Sequence, residues 1–370
     1  IEFINSLKAR VISVDVPSGL NSSTGAVQGP TVRAEITLTM ALPKLGFYLP
    51  PGPEFTGRVE VADIGMPASI LRDEALRWNV ISEPMIRSVI KARPREAHKG
   101  LCGHVAVLGG SPGLTGAPYM AAMAAMKAGA GLATIGLPEG LNEIMECKTT
   151  EVMTWPLPEA DDGTIGEGAF GEIKKLLNGK AVLVAGPGLG ESPHIKAMLR
   201  ELLKESALPM VLDADALNNL AGTLQYIAEA GSSDKVLTPH PGEAARLLGV
   251  GTEEIQADRI GRATELAKRT GSIIVLKGAN TIIASPPGDV YINTTGGPAL
   301  ATAGTGDVLA GMIGGFLAQG LSALEAAMAA VYLHGLAADA IAGRMHGQRG
   351  LIATELLGEV PLVINSMTNE

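Results

Sequence analysis

The sequence predicts an α/β fold in which a mainly parallel sheet is covered by helices on both faces. Short apolar runs recur along the chain, and each of the last five is followed by a turn and a helix-like stretch. These runs are 11–16, 105–108, 181–185, 210–212, 235–237 and 273–276. The turns that follow them include GGSPGLTGAP, GPGLG, DADALN, TPHPGE and KGANT. Because ligands of such sheets bind at the carboxyl ends of the strands, we expect the functional site where these turns meet.

Composition narrows the class of protein. The 370 residues are 46% hydrophobic and 18% charged, which predicts a globular protein large enough for two cores. The net charge of -9 leaves no basic surface for nucleic acid or for an anionic membrane. Cys102 and Cys147 follow no metal-binding spacing and favour a reducing, cytoplasmic location. The apolar stretches 117–137 and 297–318 are interrupted by glycine or proline, so we predict buried helices rather than membrane spans.

A domain boundary is predicted in the polar stretch between residues 66 and 98. We divide the chain into a first domain at 1–79 and a second at 80–370. The first domain is short and proline-rich, and its sequence lacks an obvious complete core. No internal repeat or low-complexity tract is found along the chain.

The segment ATAGTGDVLAGMIGGFLAQG, residues 301–320, predicts a phosphate site at the start of a buried helix. Free N–H groups and the helix dipole favour an anion there, and Gly304 and Gly306 let the backbone approach it. Asp307 is placed to take a proton from a hydroxyl group that attacks the phosphate. The alternative is that Asp307 only caps the helix or lies in its first turn.

GTGDVLAG resembles the anion-hole and catalytic motif of the ribokinase-like superfamily. The surrounding motifs resemble, in the same order, those of the NAD(P)H-hydrate dehydratases over about residues 80–366. They are HKGLCGHVAVLGGSPGLTGAP, AGPGLG, VLDADALN, LTPHPGEAARLLG, LKGANT and AVYLHG. The resemblance implies a ribokinase-like three-layer α/β fold with a mainly parallel sheet.

The resemblance also assigns roles to residues. Asp307 would contact the hydrated nicotinamide and act in catalysis. The nucleotide would be bound by Lys277, Gly278, Ala279, Asn280 and Thr281, and by Gly304, Thr305 and Gly306. Lys277 could instead be a surface lysine at the end of a strand.

Further substrate contacts are implied for His240, Ala117 and Gly188. His240 matches a histidine that contacts substrate in the family, although a histidine beside prolines can also be a structural hydrogen-bonding residue. Ala117 and Gly188 would let the dinucleotide approach closely, or they could serve turn geometry, and both roles could hold at once.

Four other residues leave alternatives open, and one histidine is expected in the core. Asp213 and Asp215, at alternating positions of a strand, could form part of a magnesium shell, or one could cap the next helix. His98 and Lys99 could contact phosphates or lie in a solvated loop. His334 lies in an apolar helical run and is expected to be packed in the core.

The family reaction restores NADH or NADPH from a hydrate, in which water has added to the nicotinamide ring. The resemblance implies ADP or ATP as co-substrate, with ADP used by bacterial members, Mg²⁺, and a homo-oligomer, with a tetramer favoured. The sequence does not decide between NADHX and NADPHX. A small-molecule kinase of the same superfamily and a non-catalytic nucleotide-binding protein are the alternatives. The TPHPGE motif and the segment 98–118 favour the dehydratase over the kinase, and Asp307 argues against pure binding.

The first domain resembles the second half of an NAD(P)H-hydrate epimerase domain, a Rossmann-like α/β fold. VISVDVPSGLNSSTG, ITLTMALPKLG and GRVEVADIGMP carry this resemblance. Asp15 would bind substrate and Ser18 would bind potassium, although either residue fits a strand followed by a Pro-Ser-Gly turn. The family's asparagine- and glycine-rich motif belongs to an earlier half for which this sequence has no room. Epimerase activity is therefore expected only where that half is present.

Overall fold

The structure is a computed structural model that describes residues 1–71, 73, 75–232 and 234–368. The chain forms two compact units, Ile1–Asn79 and Val80–Glu370, and each is described by itself below. The strands are β1 (Ile12–Val14), β2 (Ile36–Met40), β3 (Arg58–Ala62), β4 (Trp78–Val80), β5 (His104–Leu108), β6 (Leu132–Pro138), β7 (Met153–Leu157), β8 (Val182–Ala185), β9 (Met210–Leu212), β10 (Lys235–Leu237), β11 (Ile273–Leu276), β12 (Ile282–Ala284) and β13 (Val290–Ile292).

The α-helices are α1 (Glu2–Ser6), α2 (Pro53–Thr56), α3 (Ala68–Leu71), α4 (Glu83–Val89), α5 (Gly116–Ala128), α6 (Asn142–Lys148), α7 (Phe170–Leu177), α8 (Pro193–Glu205), α9 (Asp215–Leu220), α10 (Leu224–Ala228), α11 (Pro241–Leu248), α12 (Thr252–Ala257), α13 (Arg259–Thr270), α14 (Thr305–Ala318), α15 (Ala323–Arg344) and α16 (Ala353–Thr368). Short 3-10 helices lie at Leu45–Phe47, Glu139–Leu141 and Pro298–Leu300.

The first unit contains a small parallel sheet in the order β1-β2-β3. Its two faces have an unusual polarity, because Thr37 and Thr39 of the central strand are buried while their apolar neighbours face solvent. The exposed large apolar residues of this sheet are Ile12, Val14, Leu38, Met40 and Val61. An apolar face of a sheet normally packs on a core, but in this unit the face that carries Ile12, Val14, Leu38 and Met40 is exposed.

Ten strands form one sheet among the described residues, and nine of them, β5 to β13, lie wholly within the second unit. Its order is β4-β13-β12-β11-β10-β9-β8-β5-β6-β7. Neighbouring strands from β11 through β7 are parallel, whereas β12 pairs antiparallel with both β11 and β13. The mainly parallel sheet predicted from the alternating pattern is therefore confirmed, and the antiparallel hairpin extends it.

Helices cover this sheet on both faces. One face of the central strands carries Val107, Val184 and Val211, which share a core with α5, α14, α15 and α16. The alternate residues on the same strands, such as Leu108 and Leu212, are also buried, because α8, α9, α11 and α13 form a second packed layer. The result is the three-layer arrangement that the sequence predicts.

The sequence predicts a buried helix over 117–137, but only the first part of this apolar stretch is helical. Helix α5 ends at Ala128, Gly129 follows with a left-handed φ of 117°, and β6 begins at Leu132. An apolar run that is buried on both sides has no period that separates strand from helix, and this explains the error. The second stretch, 297–318, is helical mainly in α14, from Thr305 onward.

Helix α14 is buried along most of its length because it packs in direct backbone contact with α5. A Cβ at Gly311 would lie 2.0 Å from the carbonyl oxygen of Ala121, and one at Gly315 would lie 2.6 Å from that of Ala125. Only glycine permits such an approach. This contact fixes the start of α14 at the edge of the sheet where the parallel strands end.

Helix α15 is, among the described residues, the one helix long and apolar enough to cross a membrane. However, 72% of its most apolar 18-residue window is buried inside the protein. This burial is typical of a core helix.

Candidate active site

The site is built where β9, β10 and β11 end side by side. Lys277 follows β11, and its main-chain N–H donates to the carbonyl of Pro239, which follows β10, at 2.9 Å. Its Nζ lies 2.8 Å from Oδ1 of Asp213, the residue that follows β9. The hydroxyl of Thr238 donates to the same carboxylate oxygen at 2.7 Å. Three neighbouring strand ends are therefore joined by one buried carboxylate and one lysine.

The start of α14 meets Lys277 at this edge. A Cβ at Gly306 would lie 3.4 Å from the Nζ of Lys277, so the lysine touches the first turn of the helix. Gly304 has a left-handed φ of 89°, and a Cβ there would lie 2.6 Å from the side chain of Met120. A glycine at position 304 is therefore required by conformation and by space. The GTGD and KGANT motifs, distant in sequence, form one site.

Asp307 is in the first turn of α14 and is not its N-cap, which is Gly304. Burial raises the pKa of Asp307 to about 7, and the negative charge of Asp213 adds to the effect, while Lys277 opposes it. Asp215 and Glu243 contribute smaller effects in the same direction as Asp213. A carboxyl group with a pKa near 7 can accept and release a proton at neutral pH, which suits general-base chemistry.

The charges around Lys277 do not balance. Glu243 is buried, and its Oε2 lies 3.9 Å from the Nζ of Lys277. Burial raises the pKa of Glu243 despite the attraction of the lysine. Burial lowers the pKa of Lys277, but the attraction of Asp213 and Glu243 is stronger, and the net shift is upward. The lysine therefore stays charged within an excess of carboxylates.

His240 has a structural role at the start of α11. Its Nδ1 accepts hydrogen bonds from the main-chain N–H groups of Gly242 and Glu243 at 3.0 and 3.3 Å. The main-chain N–H of His240 donates to the Glu243 carboxylate at 2.7 Å, which completes a capping box. Burial lowers the pKa of His240, and Lys277 lowers it further, so the ring is neutral. The structural alternative is thus correct, while contact between the half-exposed ring and a substrate stays a prediction.

The KGANT loop turns outward after Lys277. Gly278 and Asn280 adopt left-handed φ values of 141° and 51°, and the hydroxyl of Thr281 donates to the Gly278 carbonyl at 3.1 Å. Gly278 and Ala279 are exposed at the surface of the site. Their main chain is accessible to a ligand, as expected of a nucleotide-binding loop.

The hydroxyl group of Thr305 faces away from this loop. It donates to the carbonyls of Leu300 and Thr302 at 3.1 and 3.0 Å. Its side chain therefore holds the segment before α14, and only its main chain is left for the predicted nucleotide contact.

Gly188 and Ala117 are brought together by the fold. A Cβ at Gly188 would lie 3.3 Å from the Cβ of Ala117 and 2.7 Å from the carbonyl oxygen of Leu114. Gly188 is buried, has a φ of 61°, and accepts a hydrogen bond from the Ser111 hydroxyl at 2.9 Å. The glycine is required for packing the GPGLG loop against the start of α5, which is the turn-geometry alternative.

The sequence predicts Asp213 and Asp215 at alternating positions of one strand, and the structure contradicts this arrangement. Strand β9 ends at Leu212, Ala214 has a φ of 47°, and Asp215 is the first residue of α9. Oδ2 of Asp215 accepts the main-chain N–H of Gly190 at 2.8 Å, while Asp213 is paired with Lys277. No group of three or more His, Cys, Asp or Glu side chains within the described residues is arranged to hold a metal ion.

His98 and Lys99 lie at the opposite edge of the sheet. A Cβ at Gly131 would lie 1.9 Å from the carbonyl oxygen of Lys99, and Gly131 directly precedes β6. The amino ends of parallel strands point away from the site, so the suggested phosphate contact is wrong and the loop alternative is correct.

His334 supports the catalytic loop from inside the core. It is buried, as predicted, and its Nε2 has no hydrogen-bond partner within the described residues. Burial lowers the pKa of His334 to about 4, although the main chain of Thr305 lies close enough to raise it, so the ring is neutral. This contact with the GTGD motif was missed, because the sequence shows only a histidine in an apolar helix.

The first unit has its own charged cluster. Asp15 has a left-handed φ of 64°, and its Oδ1 lies 2.9 Å from the Nζ of Lys44. The hydrogen bond from Lys44 lowers the pKa of Asp15, and the Met40 N–H adds to the effect. The main-chain carbonyl of Ser18 accepts from Val32 at 2.9 Å, and its potassium role stays a prediction.

Comparison with protein families places this site. Residues 105–361 match the family model described as NAD(P)H-hydrate dehydratase. The chain belongs to the NAD(P)H-hydrate dehydratase family. Residues 1–46 match the model described as the YjeF-related protein N-terminus.

Curated relatives of this dehydratase combine both regions. The chain is 45% identical to a bifunctional NAD(P)H-hydrate repair enzyme of Moorella thermoacetica, over 100% of this chain and 69% of the relative. It is 35% identical to the enzyme of that name from Escherichia coli, over 99% of this chain and 67% of the relative.

Solved structures agree with the family. The fold matches an ADP/ATP-dependent NAD(P)H-hydrate dehydratase of Bacillus subtilis co-crystallised with ATP and Mg²⁺, with a TM-score of 0.67 and 32% identity. The match covers 79% of this chain and 99% of the Bacillus subtilis chain. A hydroxyethylthiazole kinase of Pyrococcus horikoshii, at 15% identity and a TM-score of 0.50, shares the fold alone.

Proposed function

We propose that this chain dehydrates the S-form of hydrated NADH or NADPH in a reaction driven by ADP or ATP. The observation that carries the proposal is the position of Asp307, a carboxyl with a pKa of about 7 in the first turn of α14. Lys277 beside it supplies positive charge next to the free N–H groups of the helix start. Membership of the dehydratase family supports the choice of substrate.

Hydroxide is a poor leaving group, whereas phosphate is a good one. Asp307 takes the proton of the ring hydroxyl as the hydroxyl oxygen attacks the terminal phosphorus of the nucleotide. The bond from phosphorus to the nucleotide oxygen breaks, which leaves AMP from ADP or ADP from ATP. The ring nitrogen then supplies the electron pair that expels phosphate from carbon. Loss of a proton from the neighbouring carbon restores the double bond and yields NAD(P)H.

The residues of the site have distinct roles in these reaction steps. Lys277 and the N–H groups of Gly304, Thr305 and Gly306 would stabilise negative charge on the transferred phosphoryl group. The exposed main chain of the KGANT loop would bind the nucleotide, with Ala117, Gly188 and His240 on the substrate side. These roles rest on the family motifs and on the convergence of the two loops at one edge.

The charge excess of the site suits a nucleotide-bound Mg²⁺. Burial raises the pKa values of Glu243 and Asp307, and the charge of Asp213 adds to both effects, so a cation nearby would favour the charged form of each carboxyl group. Mg²⁺ binds phosphates and water with few direct carboxylate ligands, so it needs no preformed group of three side chains. Glu243 and Asp307 could hold its water ligands, and the ion would neutralise phosphate charge.

One assay tests the function. The chain is mixed with hydrated NADPH and with ADP, ATP or AMP, and the dihydronicotinamide absorbance and free phosphate are measured together. We expect both to rise in equal amounts with ADP or ATP and neither with AMP. A small-molecule kinase would instead leave a stable phosphorylated product, and its appearance without NADPH would refute the dehydratase.

Family resemblance supports further proposals on assembly and on the first unit. We propose a cytoplasmic homo-oligomer, with a tetramer favoured, which light scattering of the purified chain tests directly. Asp15 would bind hydrated dinucleotide and Ser18 would bind K⁺ in an epimerase domain. Titration of the protein with hydrated NADPH, with K⁺ or Na⁺ present and with Asp15→Asn as comparison, tests that part.

A further inference from the structure

Arg259 is a buried arginine beneath the KGANT loop. It is the first residue of α13, and only 7% of its surface is exposed. The helix is capped by Asp258, whose carboxylate accepts from the main-chain N–H of Gly261 at 2.9 Å. Arg259 is therefore not needed for the cap, and its side chain is free to extend from the helix towards the loop.

The guanidinium group binds the main chain of the loop at several points. Nη2 donates to the carbonyls of Leu276 and Lys277 at 3.4 and 3.5 Å, and Nη1 donates to the carbonyl of Ala279. The planar guanidinium of arginine can hold such divergent acceptors at once, which the single ammonium of lysine cannot. The bonds connect the end of β11 with the outer part of the loop.

The loop closes directly over this group at Gly278. A Cβ at Gly278 would lie 2.9 Å from Nη2 of Arg259, and its φ of 141° is one that other residues rarely adopt. The glycine of the KGANT motif therefore serves the contact with the arginine as well as the turn.

Arg259 is not paired with an acid. Within the described residues, no carboxylate lies at ion-pair distance from it. Its Nε is buried and has no hydrogen-bond partner there. Burial lowers the pKa of the guanidinium, yet arginine does not lose its proton in proteins. A buried, unpaired cation is costly unless an anion approaches, and the loop above it is the proposed phosphate site.

We propose that Arg259 is a positioning residue for the nucleotide. It holds the backbone of Lys277 through Ala279 in the conformation that presents the loop to phosphate, and its charge adds to the positive potential there. It acts through the loop and does not touch the nucleotide. The proposal rests on the proposed nucleotide-dependent function for the identity of the ligand.

The test measures ADP affinity by calorimetry and steady-state kinetics for the full chain and three variants. Arg259→Met keeps the length of the side chain but removes the charge and the donors, and Arg259→Lys keeps the charge alone. Arg269→Met is the matched control, because Arg269 lies on the same helix in an exposed pair with Glu265.

We expect Arg259→Met to weaken ADP binding about tenfold or more, since it removes several charge-assisted hydrogen bonds. The KM for ADP should rise while kcat at saturating ADP stays within about twofold. The ADP affinity of Arg259→Lys should lie between those of Arg259→Met and the natural chain. The ADP affinity of Arg269→Met should equal that of the natural chain. If Arg259→Met does not fold, Arg259→Lys decides the question. A lower Tm with unchanged ADP affinity in the folded variant would mean a structural role only and would overturn the proposal.

A double-variant cycle tests whether the arginine acts through the loop. In a Lys277→Met background, Arg259→Met should weaken ADP binding by clearly less than it does alone, because the loop no longer presents its lysine. Independent, fully additive losses would contradict positioning of Lys277.

Failure of the proposed function and failure of this inference can be distinguished. A chain that binds ADP without dehydrating the hydrate refutes the function and leaves this inference testable, whereas a chain that binds no adenine nucleotide refutes both.

Discussion

Asp213 Oδ1 and Lys277 Nζ lie 2.8 Å apart and join the ends of β9 and β11 across β10. The Asp213 side chain is 2% exposed and that of Lys277 is 20% exposed. The alternative of a surface lysine is therefore wrong. Removing one partner of a buried pair costs roughly 3–5 kcal/mol, because the other charge is left alone. The pair fixes Lys277 beside the start of α14. Its two charges act in opposite directions on Asp307, because Asp213 raises the pKa of that carboxyl group and Lys277 lowers it.

Asp307→Asn should leave a folded protein that binds nucleotide and has almost no activity. Asparagine keeps the shape of the side chain but cannot take the hydroxyl proton, so turnover should fall by on the order of 10²–10⁴-fold. ADP affinity should be unchanged or slightly higher, since a negative charge near the phosphates is lost. Turnover, calorimetry and a melting scan check the three parts, and near-normal turnover would contradict the mechanism.

The pH dependence of activity should follow Asp307. Its folded-state pKa of about 7 means that the carboxylate form needed by a base becomes dominant only above neutral pH. We expect kcat/KM to rise as pH increases through this value. Because ADP also titrates in this range, ADP affinity of Asp307→Asn measured over the same pH series gives the correction. A flat corrected profile would argue against Asp307 as the base.

The stability of the fold should also depend on the ionisation of Asp307, but it should fall with rising pH where activity rises. The pKa of Asp307 is higher in the folded chain, about 7 against 3.8, so protonation stabilises the fold at low pH. This contribution is lost as pH rises from about 4 through 7. The Tm of Asp307→Asn relative to the natural chain should therefore increase between about pH 4 and pH 8. A difference in Tm that does not depend on pH would show that the pKa of Asp307 is not raised in the folded chain.

Asp213→Asn should shift the pH profile of activity to lower pH. Asp213 is the second largest cause of the raised pKa of Asp307, after burial, so removing its charge lets Asp307 ionise more easily. The Thr238 hydroxyl can still bond to the asparagine oxygen, which favours folding. Asp234→Asn, at an exposed position at the other end of β10, is the control and should leave the profile unchanged.

Lys277→Ala should weaken ADP or ATP binding, because a charge-assisted contact with phosphate is worth roughly 1.5–3 kcal/mol. It should also lower the Tm, because buried Asp213 loses its partner. Lys174→Ala, which breaks an exposed pair with Glu205, should change neither property. Calorimetry and melting scans measure both effects, and unaltered nucleotide affinity would remove Lys277 from the phosphate site.

Gly311→Ala should destabilise the second unit strongly. The new Cβ would lie 2.0 Å from the Ala121 carbonyl oxygen, which forces α14 and α5 apart at a cost of roughly 1–3 kcal/mol or more. Gly343→Ala in α15 is the control, since a Cβ there meets nothing within 4 Å. It should be neutral or stabilise by up to about 1 kcal/mol through helix propensity. Similar Tm values for the two variants would show that the helices are not in backbone contact.

The sequence by itself determined the parallel sheet and the edge that carries the site. The runs 210–212, 235–237 and 273–276 coincide with β9, β10 and β11, because short apolar segments bounded by turn residues leave few alternatives. The GTGD motif also predicted a helix start in this segment, and α14 begins within the motif at Thr305, since glycine before a helical run is a local signal. Such features depend on neighbours in sequence, and the sequence is sufficient for them.

Only the tertiary structure decided which charges meet. The pairing of Lys277 with Asp213 joins residues 64 positions apart, and Arg259 reaches its loop across 17–20 positions. His334 likewise contacts Thr305 only because α15 packs against α14. The sequence lists these residues without their distances. Burial and the distances to neighbouring charges set the pKa of Asp307, and both are properties of the packed chain. The raised pKa of this carboxyl group therefore could not be predicted before the fold was known.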